Sequence, residues 1–214
     1  VLLCTSRPTG LNEELFGRFH RLELAPLSEA QQGVFFSKRL GSARAEQLAP
    51  YLRDKVPLDA ETQRRVTANP MMAAMIASIA ELREGIAMPT VIADLYGVAA
   101  GAMLMRGGGA LSAEDAALLH AIFFEAHAAQ QRIISEEHLE AAARRVGGSA
   151  DALRARVVQD RLPLLRLLKA DPLQMQAFHL SFQEYYAMRE IEKGGVELTS
   201  FKWSPWWTNA VLMG

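Results

Sequence analysis

The chain has a single cysteine, Cys4, among 214 residues. One thiol excludes an internal disulfide and any thiolate-rich zinc cluster, and it fits a reducing compartment. Net charge is almost absent: 23 Lys and Arg against 24 Asp and Glu leave −1. Such a chain carries no bulk attraction to phosphate backbones or anionic lipid. Long apolar runs are missing as well. The densest, residues 70–77, falls far short of the roughly 18 residues a membrane span requires. Nothing at the start has the basic, apolar and small-residue regions of a signal peptide. Aromatics are sparse at 7%, yet half the residues are hydrophobic and 22% charged. That balance is globular and excludes disordered, collagen-like and disulfide-scaffold classes; the length suits one or two domains.

The opening Val-Leu-Leu-Cys-Thr, followed by Ser-Arg-Pro-Thr-Gly, reads as a buried parallel strand running into a loop, with Cys4 an inert buried thiol. Residues 21–27 alternate polar and apolar, placing Leu22 and Leu24 on one face of a second short strand. Ser28 with Gln31 has capping-box spacing. Helical intervals follow through Val34, Phe35, Leu40, Leu48, Leu52 and Val56, with Gly41 and Pro50 as punctuation. Asn69-Pro70 opens a helix with an apolar face of Met71, Met72, Met75, Ile76 and Ile79, the methionines reading as core filler. Another begins at Met88-Pro89-Thr90 and stops at the glycines 107–109. Ser112, Ser135 and Ser149 cap three more helices, the last two joined by a tight glycine turn as in a helix-turn-helix pair. Two apolar runs, 164–168 and 173–178, flank an Asp-Pro turn and read as a β-hairpin. A last long helix spans about 180–192. Pro205, with Ser204 as cap, opens a further apolar helix. Both ends look cut, as expected of a piece of something longer.

Within the long helix, Phe178, Phe182, Tyr185 and Tyr186 follow a core-facing stripe. The five histidines (20, 120, 127, 138, 179) form no His-Glu-x-x-His and no Cys/His ligand set, so no metal site is expected. No Gly-x-Ser-x-Gly elbow occurs. Arg144, Arg145, Arg154, Arg156, Arg161 and Arg166 gather around the helix pair and hairpin, as a DNA-reading domain would need. Glu136, Glu137, Glu140, Asp151 and Asp160 interleave with them, and a solvated mixed face is the reading adopted.

The segment His-Leu-Ser-Phe-Gln-Glu-Tyr, residues 179–185, resembles the signature of NACHT-type STAND NTPases, the switch ATPases that include the NOD-like receptors. The other pieces agree in order across residues 1–193. Val-Leu-Leu-Cys-Thr-Ser-Arg-Pro resembles the family's sensor strand and arginine, Asn-Pro-Met-Met at 69–72 its helical-domain proline motif, and 89–104 the helix opening its winged-helix domain. Departures are equally plain. No Gly-x-x-x-x-Gly-Lys-Ser/Thr occurs, no strand ends in the Walker B acidic run, and Ala177 stands where the family often has phenylalanine.

The resemblance implies a mainly α chain in four parts. Residues 1–26 would end an α/β P-loop NTPase core, 27–84 form a helical domain, 85–193 a winged-helix domain with a small β-hairpin, and 194–214 start a further helical or repeat region. It implies that Arg7 reads a terminal phosphate, where the same guanidinium would otherwise cap a loop. His179 would reach the β-phosphate of ADP, with Gln183 one turn on orienting its ring. Pro70 would lean on the adenine, or be a plain first-turn proline. The function so implied is the nucleotide-dependent lid of a cytoplasmic signalling ATPase. It would use ATP or ADP with magnesium in the complete protein, none being bound by this stretch alone, and would control homo-oligomerisation against an upstream NTPase core. A winged-helix module binding nucleic acid and a non-hydrolysing interaction scaffold are the alternatives; neither membrane nor nucleic acid is an expected partner.

Overall fold

The computed structural model describes residues 4, 13–59, 62–82, 88–106, 111–194, 196, 199 and 203–213. The expected first strand at 1–5 (Cys4 apart), Arg7 and the glycines 107–109 lie outside the described residues. Cys4 is exposed, a correction to the buried thiol expected there. Among the described residues no strand lies beside it to cover its side chain.

The second expected strand, over residues 21–27, does not form. After a single helical turn, α1 (Glu13–Phe16), the chain has no regular structure up to Ser28, and Leu22 and Leu24 are 90% and 100% exposed. Alternation makes a strand only where a ladder partner and an apolar surface receive it, and among the described residues neither does. Leu27 is tied to the helical part of the chain, its N–H donating to the Ala68 carbonyl at 2.8 Å.

The Ser28 capping box then forms as expected. Ser28 Oγ accepts from the Gln31 N–H, and Gln31 Oε1 accepts from the Ser28 N–H. These bonds satisfy two donors at the start of α2 (Glu29–Leu40). Gly41, at φ +82°, turns the chain into α3 (Ser42–Asp54). Pro50 lies inside α3, not at its end. Its ring removes a single N–H close to the helix C-terminus, while buried Leu48 and Tyr51 on either side hold the helix to the core. The Tyr51 hydroxyl also donates to the Pro89 carbonyl at 2.7 Å.

Asn69 and Pro70 open α4 (Pro70–Leu82), which buries Met72, Ala73, Met75, Ile76, Ala77, Ile79 and Ala80. Each large side chain so buried contributes about 1.5–3 kcal/mol. α4 packs on α5 (Ile92–Arg106), and Glu81 joins Arg39 of α2 to Arg106 of α5 at the surface.

Ser112 caps α6 (Ala113–Ala128), the central helix of the second half, against which α7 (Glu136–Val146), α8 (Ala150–Val158) and α9 (Leu180–Glu192) pack. Gly147, at φ +67°, makes the tight turn between α7 and α8. The hairpin is present as β2 (Leu165–Ala170) and β3 (Leu173–Ala177). A two-residue strand, β1 (Ile134–Ser135), adds to its other edge, giving an antiparallel sheet ordered β1-β3-β2 with β3 in the centre. Ile134 pairs with Met175 and Leu165 with Ala177. Leu173, Met175 and Ala177 therefore face the core. The register shifts between Leu167 and Lys169, and Leu168 points outward there, 44% exposed.

The protein is thus mainly α-helical with a small three-stranded antiparallel sheet. Its main core runs without interruption from Phe36 in α2 to Tyr186 in α9. A second, smaller core joins Phe124 of α6 and Ala187 and Ile191 of α9 to Trp207 and Ala210. Trp207 lies in a 3-10 turn (Pro205–Trp207) with Pro205 in its first turn as expected, and Ala210 in α10 (Thr208–Leu212). Ser204 precedes that turn but its side chain caps nothing: the hydroxyl is buried without a hydrogen bond.

Candidate functional site

β3 does not stop cleanly at Ala177. The Phe178 N–H donates to the Leu164 carbonyl at 2.9 Å, so the pairing continues one residue further. Period-two geometry turns Phe178 away from the core that Ala177 faces, and it is 58% exposed. This corrects its place in the expected core stripe; Phe182 and Tyr186, inside α9, are buried and Tyr185 is half-buried, as helical spacing requires.

His179 is the N-cap of α9. Its Nδ1 accepts from the Ser181 N–H at 3.2 Å and lies 3.1 Å from the Ser181 hydroxyl. An Nδ1 that accepts a backbone proton leaves the neutral ring protonated at Nε2. The remaining proton of the neutral ring therefore sits on Nε2, beside a helix N-terminus where the backbone dipoles sum to positive potential.

Gln183 does not orient this ring as expected. Its side-chain Nε2 donates instead to the Gln131 carbonyl at 2.8 Å. That bond ties α9 to the turn after α6, where Gln130 has φ 56° and the Gln131 N–H donates to Ala126. The next residue is Arg132. Arg132, His179, Gln183 and Phe178 line one shallow pocket of about 180 Å³, together with Gln176, Ala177 and Leu180. Among the described residues no carboxylate lines it. Two cationic or donor side chains and a helix N-terminus facing an acid-free concavity can hold an anionic oxygen by charge-assisted hydrogen bonds.

Of the three residues singled out by resemblance, the structure places His179 in this pocket and leaves Arg7 outside the described residues. Pro70, exposed at the first position of α4, is not among the pocket's lining residues. Arg132 was not foreseen, because long-range contacts bring it to His179: the Gln183–Gln131 bond across 52 residues and the pairing of Ile134 with Met175.

The arginines of the helix pair fold back onto acids. Arg145 meets Glu125 at 2.7 Å and covers the Phe124 ring, Arg156 meets Asp115 at 3.5 Å, and Arg154 and Arg144 lie 3.8 Å from Glu136 and Glu140. A mixed solvated face is what these pairs describe. Three other histidines have structural surroundings. His138 Nδ1 accepts from the Ser135 N–H, completing a cap on α7, while burial holds His120 and His127 down to about 4. Among the described residues no three His, Cys, Asp or Glu side chains come together as a metal site.

A larger depression of about 290 Å³ lies between α5 and α9, lined by Asp94, Gly97, Tyr185 and Arg189 among others. Acid and base share its wall, and Arg189 pairs with Glu192, so it has no preference for one sign of charge.

No protein-family model matches the chain, and no curated protein matches it either. Among the described residues no helix is long and apolar enough to cross a membrane.

Proposed function

We propose that this chain is the regulatory lid of a nucleotide switch of the STAND type, holding the phosphate end of a bound nucleotide through His179. The reading is carried by the pocket itself: an N-cap imidazole whose tautomer is set by Ser181, facing Arg132 across an acid-free concavity. The order of elements supports it. From α6 onward the sequence helix, strand, helix, helix, strand, strand, with β1 beside β3, agrees with the order expected for a winged helix, and it follows the helices α2 to α5. The paired arginines argue against use of this module on nucleic acid.

ATP or ADP, with magnesium held by an NTPase core, would supply phosphate oxygens and their negative charge. Arg132 and the His179 Nε2–H fit such an anion; the described residues offer no carboxylate cluster for the metal, whose ligands belong to the core. His179 donates to a phosphate oxygen, and Arg132 adds a second, delocalised charge. A lid held this way stays closed for as long as those donors are engaged. A nucleotide that engages them differently shifts the population of open lids, and so the exposure of surfaces for self-association.

The test joins this chain to the coding sequence upstream of Val1 in its parent gene. The expected results are a Walker A lysine in that sequence and ADP co-purifying with the joined protein but lost in His179→Ala. A parent without a phosphate loop, or ADP retained equally after His179→Ala and Arg132→Gln, refutes the reading.

A further inference from the structure

The C-terminal residues 203–213 pack on the face formed by α6 and α9, where His127 sits. The Trp206 indole N–H donates to the His127 carbonyl at 3.0 Å, and the Asn209 amide donates to Glu184 of α9 at 3.2 Å. The His127 ring lies 4.4 Å from that of Trp207, edge to face, and 5.2 Å from that of Trp206. It is fully buried, yet neither Nδ1 nor Nε2 has a hydrogen-bond partner. A buried imidazole left this way costs stability, and only the indoles around it offset that.

We propose that residues 203–213 are a strap, docked on α6 and α9 while His127 is neutral and released when His127 takes up a proton. The charged groups on every packed element are already engaged. On α6, Glu125 pairs with Arg145 of α7; on α9, Glu184 accepts from Asn209, Glu190 pairs with Lys193, and Arg189 with Glu192. The other α6 histidine, His120, lies against Tyr186. The strap residues 203–213 contain no Asp, Glu, Lys, Arg or His. No hydrogen-bond acceptor among the described residues reaches either ring nitrogen of His127, so a proton arriving there gains a partner when the strap lifts and admits water.

The sign follows from burial. Burial holds the docked ring down to about 4, and release to water moves it back towards the ordinary 6.5 of a histidine. The released state thus binds more protons between those values, so docking is unaffected above pH 6.5 and weakens as pH falls towards 4. Each pH unit in that window shifts the equilibrium up to about tenfold towards release.

All three tryptophans, 203, 206 and 207, lie in the strap, so tryptophan emission reports on it alone. Between pH 7.5 and 4.5 the wild-type chain is expected to show a red-shifted emission maximum and loss of hydrogen-exchange protection at 208–213, with far-UV circular dichroism retained. His120→Phe behaves as wild type, and His127→Phe stays docked. An equal red shift in His127→Phe overturns the proposal, as does a red shift accompanied by loss of helical signal. Quenching at an unchanged wavelength also overturns it, since the two indoles would then be holding the imidazolium in place. Should His127→Phe not fold, the wild type still decides: the His127 ring-proton titration followed by NMR must share its midpoint with the emission change, and separate midpoints refute the strap.

Discussion

Gln183→Met isolates the part Gln183 plays. The substitution keeps an unbranched side chain of similar volume at a position that is 1% exposed, and removes the donor to the Gln131 carbonyl. A lost neutral hydrogen bond costs about 0.5–1.5 kcal/mol, and an acceptor stranded without water up to about 3. Gln131 itself is exposed, so water can replace part of the bond and the lower range applies, about 1 kcal/mol. For a chain of this size that lowers Tm by about 2–4 °C. The diagnostic effect is local. Hydrogen exchange at residues 130–133 is expected to rise, because the turn carrying Arg132 loses its tie to α9, while the His179 ring keeps its Nε2–H tautomer through Ser181. Exchange measured by mass spectrometry and ring nitrogen shifts measured by NMR read the two effects separately. Unchanged exchange at 130–133 together with a changed His179 tautomer would show that Gln183 orients the histidine, and the reasoning here would be wrong.

On the proposed reading Arg132 gives a phosphate oxygen one charge-assisted hydrogen bond, and in a longer protein that binds ADP Arg132→Gln is expected to speed ADP release by about tenfold or more without lowering Tm. His179→Ala is expected to do the same and also to cost about 1 kcal/mol as a lost N-cap, seen in urea unfolding. Phe182→Ala deletes a fully buried ring set edge-to-face against Tyr96, and denaturant titration should show a loss of about 3–5 kcal/mol. His120 and His127 are both held down to about 4 by burial, so the unfolded chain binds more protons below pH 6.5. Global stability is expected to fall by about 1 kcal/mol per histidine between pH 7.5 and 5.5; flat stability across that range, measured by urea unfolding, contradicts their burial as neutral rings. With Arg154 and Arg156 paired to Glu136 and Asp115, salt-dependent DNA binding is expected to be absent in electrophoretic shift assays, and Arg154→Ala with Arg156→Ala to change nothing.

The caps at Ser28, Ser112 and Ser149 and the Gly147 turn were legible because each is settled within four residues of chain. The hairpin was legible for the same reason, its two runs sharing one short turn. The errors share a different cause. Residues 21–27 alternate correctly yet have no partner strand among the described residues, while β1 is too short to show alternation and exists because Met175 and Gln174 lie beside it. Pro50 is tolerated because of what Leu48 and Tyr51 bury, and Phe178 is turned outward by its bond to Leu164.

The order of residues alone determined where most helices start and stop, that the chain is mainly helical, and that His179 stands at the start of the last long helix. Those outcomes depend on backbone donors and acceptors a few positions apart, for which a short stretch of sequence contains both partners. Which groups face His179 and His127 was decided by packing. Arg132 reaches the first through a bond spanning 52 residues, and the tryptophans reach the second across 79. Contacts at such separations follow from how whole helices and strands seat against one another, and no local pattern records them.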